Sequence, residues 1–355
     1  MSTLRVTAER LTILEHPNAD ALELAQVGLY RAVVAKGVYR TGEFAVYIPE
    51  QAVLPEPLIA ELGLTGRLAG SAANRVRAVR LRGELSQGIV CRPGVLAGVD
   101  LAAAAAGGED FAGRLGVVKW VPPVPISMSG DVESAPDLLP WTDIENLKRY
   151  PGVFAAGDPV TVTEKLHGTA CCMTYYAESG AVHVTSKGLG AQRLALKEAA
   201  GNLYWRAVRG YGLPEIAAAL AAALGADRIG VYGEVYGKGV QDLGYGVDAG
   251  RELPGFAAFD VCADMGGRLR WIDPAELPLG ELPLVPRLFH GPFDLDAVLA
   301  LAQGRETVTG RAEHIREGVV VRTAADAYSP VLGGRAIAKV VSDAYLTRKG
   351  GTEYE

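Results

Sequence analysis

From residue 121 to residue 140 the chain carries neither a helical nor a strand period: Val121-Pro122-Pro123-Val124-Pro125 opens the stretch, and Gly, Asp, Ser and Pro punctuate it to Pro140. Such a composition reads as a linker. No single sheet or bundle can run through it, so the chain is expected to fold as two units, 1–120 and 141–355, joined by 121–140. A length of 355 residues suits two domains, and 49% hydrophobic residues suffice for more than one core.

The first unit is patterned in short extended runs. Leu22–Val27, 31–35 and Phe44–Ile48 alternate or run apolar, Pro49 ends the third, and 88–91 supplies another. Short strands with Gly and Pro punctuation predict a small barrel, and a five-stranded OB-type barrel fits the spacing. Within it, 74–81 is read as a strand with a phase slip at Ala78-Val79. That reading puts Arg75 and Arg77 on one face and, after the slip, Arg80 and Arg82 on one face. An arginine-bearing strand face suits contacts to a phosphate backbone, and it equally suits a solvated surface.

The second unit mixes elements. Runs at 161–163, 170–176, 228–233, 255–261, 318–322 and 336–341 predict strands, with a turn at His167-Gly168. Alanine-rich stretches at 195–208 and 214–224 predict helices. Helices do not separate every strand pair, so the fold class is α+β with largely antiparallel sheets.

The net charge of −6 gives no global sign of a nucleic-acid binder, although a local basic groove is what a phosphate backbone senses. Cys91, Cys171, Cys172 and Cys262 form no CxxC pair and, with five histidines, no zinc pattern, so buried thiols in a reducing compartment are expected. Neither a leader-like apolar region nor a membrane-length apolar run is present, which predicts a soluble cytoplasmic protein. Ser86 lies near glycines, but its surroundings are not GxSxG, and a hydrolase elbow is rejected.

The chemistry-bearing segment is Glu164-Lys165-Leu166-His167-Gly168. A lysine beside a glycine turn becomes a nucleophile when burial or neighbouring cations depress its pKa. Taken alone it also fits a solvated lysine. Downstream, in order, come Ser186-Lys187-Gly188, Tyr232-Gly233-Glu234, Phe259-Asp260, Glu317-Gly318-Val319-Val320-Val321-Arg322 and Arg335-Ala336-Ile337-Ala338-Lys339. This ordered set resembles the covalent nucleotidyltransferase superfamily of ATP-dependent ligases and RNA-capping enzymes over about 165–342. The lysine segment looks like the RNA-ligase form, because many DNA ligases carry aspartate where His167 stands. His16-Pro17-Asn18-Ala19-Asp20 and 80–88 resemble a tRNA-binding type of OB module. The whole is similar to the nick-sealing RNA ligases with an N-terminal OB domain.

The resemblance implies a site. Lys165 would accept AMP from ATP, Lys339 would balance charge on the α-phosphate, and Glu317 would bind Mg2+ or Mn2+. Glu164, Gly168, Lys187, Glu234 and Phe259 would surround the nucleotide, with Phe259 against the adenine, while Arg75, Arg77, Arg80 and Arg82 would touch nucleic acid. Nicked duplex RNA or an RNA/DNA hybrid is the implied partner, with no membrane and no protein partner indicated. Relatives often carry two lysines in the last segment, and Ile337 occupies the first slot here. His167 is open to two readings, contact with a metal's water shell or packing. A DNA ligase, a capping-type GMP transferase and a non-catalytic RNA-binding protein remain alternatives. The intact Lys165, Glu234, Glu317 and Lys339 speak against the last.

Overall fold

The computed structural model describes residues 4–352. In the first unit, Thr7–Arg10, Phe44–Ile48 and Ile89–Cys91 form one antiparallel sheet, with Phe44–Ile48 in the middle. Thr12–Glu15, Leu22–Val27 and Tyr30–Ala35 form a second as a meander. Leu11, Ala25, Val34, Ala45 and Tyr47 pack between the two sheets. A second cluster joins Val46 and Ile48 to Leu54 and Phe111. Phe111 is fully buried, and burying a side chain of that size contributes roughly 1.5–3 kcal/mol.

The expected strand at 74–81 is shorter, Val79–Leu81, paired with Glu84–Ser86 across a turn at Arg82-Gly83 where both residues have positive φ. The phase slip marks where this hairpin begins. Val76 and Ala78 are buried, whereas Val79 and Leu81 are exposed.

The second unit is built on two sheets. The larger runs, edge to edge, Val132–Ser134, Leu194–Leu196, Val182–Ser186, Thr169–Tyr176, Arg228–Tyr236, Gly255–Met265 and Arg268–Ile272, all antiparallel. The smaller runs Glu145–Asn146, Ile337–Val341, Gly318–Thr323, Pro159–Lys165 and Arg287–Pro292, and only its first pair is parallel. Helices Leu203–Gly210 and Leu213–Leu224 cover the large sheet through Tyr204, Val208, Leu213, Ala217 and Leu220. Leu295–Leu301 packs on the small sheet through Val298. The strand Pro159–Lys165 belongs to the small sheet and Thr169–Tyr176 to the large one, so the chain changes sheets at 166–168.

Two further expectations differ from the structure. The helix begins at Leu203 rather than near 195, because Leu194–Leu196 pairs with the sheet edge and Asn202 caps the helix by accepting from the Tyr204 and Trp205 amides. Edge pairing outweighs alanine propensity there. The 121–140 stretch is also more built than its composition suggests. Val121, Val124 and Ile126 are exposed, but Met128, Ala135, Leu138 and Leu139 are buried and Val132–Ser134 edges the large sheet. Met128, Leu139 and the pair Ala135 and Leu138 join three separate clusters at uneven spacing and leave no period to read. Among the described residues no helix is long and apolar enough to cross a membrane.

Candidate active site

Lys165 ends its strand at the change of sheets, opposite Gly318 of the neighbouring strand. Two strands therefore bring Lys165 and Glu317 side by side, and their Nζ and Oε1 atoms lie 2.7 Å apart. In the large sheet Glu234 stands opposite Ala170, just past the turn. The turn glycine is dictated by this approach. A Cβ on Gly168 would lie 2.2 Å from the Val235 carbonyl oxygen and 2.9 Å from Glu234 Cγ. Lys339 sits opposite Val320, and Lys187 begins the helix Lys187–Ala191 while pairing with Asp143 at 2.9 Å.

Two cavities meet at these residues. An inner one of about 220 Å3 is lined by Trp141, Glu164, Tyr232, Phe259, Trp271 and Ile337 among others. An outer one of about 400 Å3 has Glu317 and His167 on one side and Tyr30, Gln51, Lys119 and Trp120 of the first unit on the other. Lys165, Lys187, Glu234 and Lys339 line both. The structure thus brings together Glu164, Lys165, Gly168, Lys187, Glu234, Phe259, Glu317 and Lys339 around one two-chambered space.

Charge in this space is unevenly compensated. Burial pushes the Lys165 ammonium down, but the Glu317 and Glu234 carboxylates and the Glu317 hydrogen bond together hold it above the usual lysine range. Burial, reinforced by Glu317, raises Glu234 to about 8 against the pull of Lys165. Burial and then the like charges of Lys165 and Lys187 lower Lys339 to about 8. Glu164 is buried, its Oε2 accepting from the Thr307 amide at 2.9 Å and hydroxyl at 2.6 Å, while its Oε1 has no hydrogen-bond partner. Burial raises its pKa as well. The Glu317 Oε2 is likewise buried and without a hydrogen-bond partner.

Four arginines do not form the face expected of them. Arg75 stacks over Trp120 at 3.8 Å. Arg82 lies in the hairpin turn, off the strand that holds Arg80, and Arg80 donates to the Gly83 carbonyl at 3.1 Å. Arg77 precedes the hairpin. Arg80 instead lines a cleft between the units with Arg31 and Lys148.

Ile337 lines the inner cavity where a second lysine was missing. Arg335 does not fill that role. It pairs with Asp260 at 2.6 Å and Asp326 at 2.7 Å, and lies over the Trp271 ring. Lys119, unremarked in the sequence, contributes to the cation field at Lys339 from the first unit. Arg149 also lines the outer cavity. His167 is packed rather than open: it is 4% exposed and flanked by Asp242 at 2.7 Å and Tyr345 at 2.9 Å. No local pattern could have flagged these partners, which come from 75 and 178 residues away.

The RNA ligase family profile matches residues 158–341, more than half of the chain. The chain belongs to the RNA ligase family. An OB-fold domain profile matches residues 5–93 of the ligase. Among solved structures, its fold is similar to that of Naegleria gruberi RNA ligase in several forms. The form with PPi has a TM-score of 0.75 at 23% identity, covering 97% of this chain and 98% of that one. A ligand-free mutant gives 0.76 at 24%, covering 98% of each. A mutant with ATP and Mn gives 0.76 at 24%, covering 96% and 98%. No curated protein matches the ligase. The architecture is accordingly α+β, an N-terminal OB-type barrel followed by an RNA ligase domain with antiparallel sheets.

Proposed function

We propose that the chain is an ATP-dependent ligase that seals 3′-hydroxyl/5′-phosphate nicks in duplex RNA or an RNA/DNA hybrid, in RNA repair. In this reading residues 1–120 bind the nucleic acid, 121–140 connect, and 141–355 carry the chemistry. The observation that carries it is the position of the Lys165 amine, which lines both cavities and lies beside Glu317. The inner cavity, walled by Phe259, Tyr232 and Trp271, suits a flat base, and the outer one suits polyphosphate and then a nucleic-acid end. The four buried free cysteines accord with a cytoplasmic location.

Glu317 and Glu234 hold the Lys165 ammonium above the usual lysine range. In the first step it therefore gives up a proton to solvent, and the neutral amine then attacks the ATP α-phosphorus. An N–P bond forms as the bond to pyrophosphate breaks, and the proton leaving the nitrogen passes to the departing pyrophosphate. A 5′-phosphate oxygen then attacks the same phosphorus and releases Lys165. Finally a 3′-hydroxyl attacks the 5′-phosphorus, expels AMP and closes the strand. All three steps depend on positioning and charge neutralisation. Lys339 and Lys187 supply positive charge beside the α-phosphate, and Gly168 lets the turn lie against Glu234.

The spare acceptor oxygen of Glu164 supports adenine over guanine. Adenine carries an amino donor at C6, where guanine presents an oxygen. The donor set also fits a hard divalent cation such as Mg2+ or Mn2+. Glu317 offers a buried carboxylate oxygen that has no hydrogen-bond partner and lies 3.9 Å from His167 Nδ1, and Glu234 is a second, half-buried carboxylate in the same cavity. Among the described residues no group of three metal-ligating side chains gathers, so phosphate oxygens and water would complete the shell. When bound, such a cation would supply charge neutralisation at the phosphates.

Matched nicks with an RNA or a DNA 3′-hydroxyl end test the substrate assignment. Faster sealing of the RNA-ended nick is expected, and equal rates would remove the RNA preference. An adduct formed with GTP alone would favour capping chemistry instead.

A further inference from the structure

The turn that follows Lys165 is gripped from the far end of the chain. Helix Asp343–Leu346 is tied to the strand end beside Glu317, since Ser342 Oγ donates to the Arg316 carbonyl at 2.7 Å and the Ser342 amide to the Glu317 carbonyl at 2.8 Å. Tyr345 then meets His167 edge-on, with its hydroxyl 2.9 Å from His167 Nδ1. Arg348 lies over the Tyr345 ring at 3.6 Å and donates Nε to Asp242 Oδ2 at 3.1 Å and Nη2 to Asp242 Oδ1 at 3.2 Å. Asp242 in turn holds His167 Nε2 at 2.7 Å.

A second tether runs beside the first. The Gly168 carbonyl accepts from Gln241 Nε2 at 3.1 Å. Thr352 grips both tethers, its hydroxyl donating to Gln241 Oε1 at 2.9 Å and its amide to Asp242 Oδ1 at 2.8 Å. Every polar hold of segment 342–352 on the loop at 241–242 therefore ends on one of the two residues that fasten His167 and Gly168. The bonds to Asp242 are charge-assisted, and they join an Arg348 side chain that is only 7% exposed to an Asp242 side chain that is 22% exposed.

We propose that Arg348 is a positioning residue for the first phosphoryl transfer. Through Asp242 it fixes the His167-Gly168 turn, and so the line along which the Lys165 amine meets the α-phosphorus. Arg348 lines neither cavity, and it reaches the turn through Asp242 and through its Nη2, which lies 3.4 Å from His167 Nε2. The inference rests on Lys165 being the AMP acceptor. Its physical basis is that reactions governed by alignment lose rate steeply when a nucleophile is loosened by a fraction of an ångström, while ground-state binding changes little.

The test uses the full chain carrying Arg348→Ala, Arg348→Lys or Asp242→Asn. The readouts are the rate of label transfer from ATP to Lys165, the KM for ATP and the thermal unfolding midpoint. Arg348→Ala is expected to slow transfer by about 10- to 100-fold with a smaller change in KM. Millimolar guanidinium should restore part of that rate in Arg348→Ala and none in Asp242→Asn. Arg348→Lys keeps the charge but not the two-pronged fork, and should fall between. A labelled parent with an equally fast Arg348→Ala overturns the inference alone. So does a slow Arg348→Ala that guanidinium does not lift and that has lost thermal stability in proportion. A parent that takes no label overturns the ligase reading and this inference with it.

Discussion

At the scale of single residues the site is a set of charges held against their preference. Lys339, with a usual value of 10.5, is lowered to about 8, and Glu234, with a usual value of 4.5, is raised to about 8. A base whose folded pKa is depressed costs stability in full below about pH 8, and the cost fades as pH rises towards 10.5. Replacing Lys339 with Met should therefore raise the Tm at pH 7, by about 3 kcal/mol of stability at most, while abolishing sealing. An acid whose folded pKa is raised behaves in the opposite sense: no cost below 4.5 and the full cost above about pH 8. Glu234→Gln should then gain Tm at pH 9 and nothing at pH 4.5. Melting curves across pH check both signs, and two gains that moved in the same direction would contradict the electrostatic picture. Glu164 yields a second residue-scale prediction. Glu164→Ala should raise the KM for ATP about tenfold, the value of a hydrogen bond to a charged group. It should also narrow the preference for ATP over GTP, and adduct rates with both nucleotides measure this.

At the scale of elements the junction between the sheets does the positioning. Lys165 and Gly318 are register partners, so Glu317 arrives beside the lysine through strand pairing alone. Gly168→Ala would drive a Cβ to 2.2 Å from the Val235 carbonyl oxygen, and it is expected to abolish label transfer to Lys165. A Gly168→Ala chain that labels normally would show that the turn tolerates displacement. Much of this level was legible in the sequence. The β-branched runs at 228–233, 255–261 and 318–322 all proved to be strands, because residues buried on both faces leave an unbroken apolar signature. Leu194–Leu196 was not legible, since alanine-rich sequence satisfies helix propensity while edge pairing decides the outcome. The arginine run misled for a related reason: a two-residue turn moved Arg82 off the strand that its alternation implied.

At the scale of the whole molecule the two units share a wall. Tyr30, Gln51, Lys119 and Trp120 close the outer cavity against the lysine cluster, although the inner cavity is built without any residue before Trp141. Nucleotide capture should therefore depend less on the first unit than nick engagement does. Removing residues 1–120 is expected to impair sealing far more than the formation of lysyl-AMP. Equal loss of both would contradict a substrate-holding role for the barrel. The chambers themselves were legible only as an ordered list of residues. Their shape, the addition of Lys119 and the clamp from Arg348 arise from contacts between distant segments, which no local pattern encodes.

The central claim is that Lys165 takes AMP. Incubating the full chain with α-labelled ATP and Mn2+, denaturing it and mapping the labelled peptide tests this most directly. Label surviving denaturation on the peptide that contains Lys165, and absent from Lys165→Ala, is the predicted result. Label on another residue, or persisting in Lys165→Ala, would contradict it.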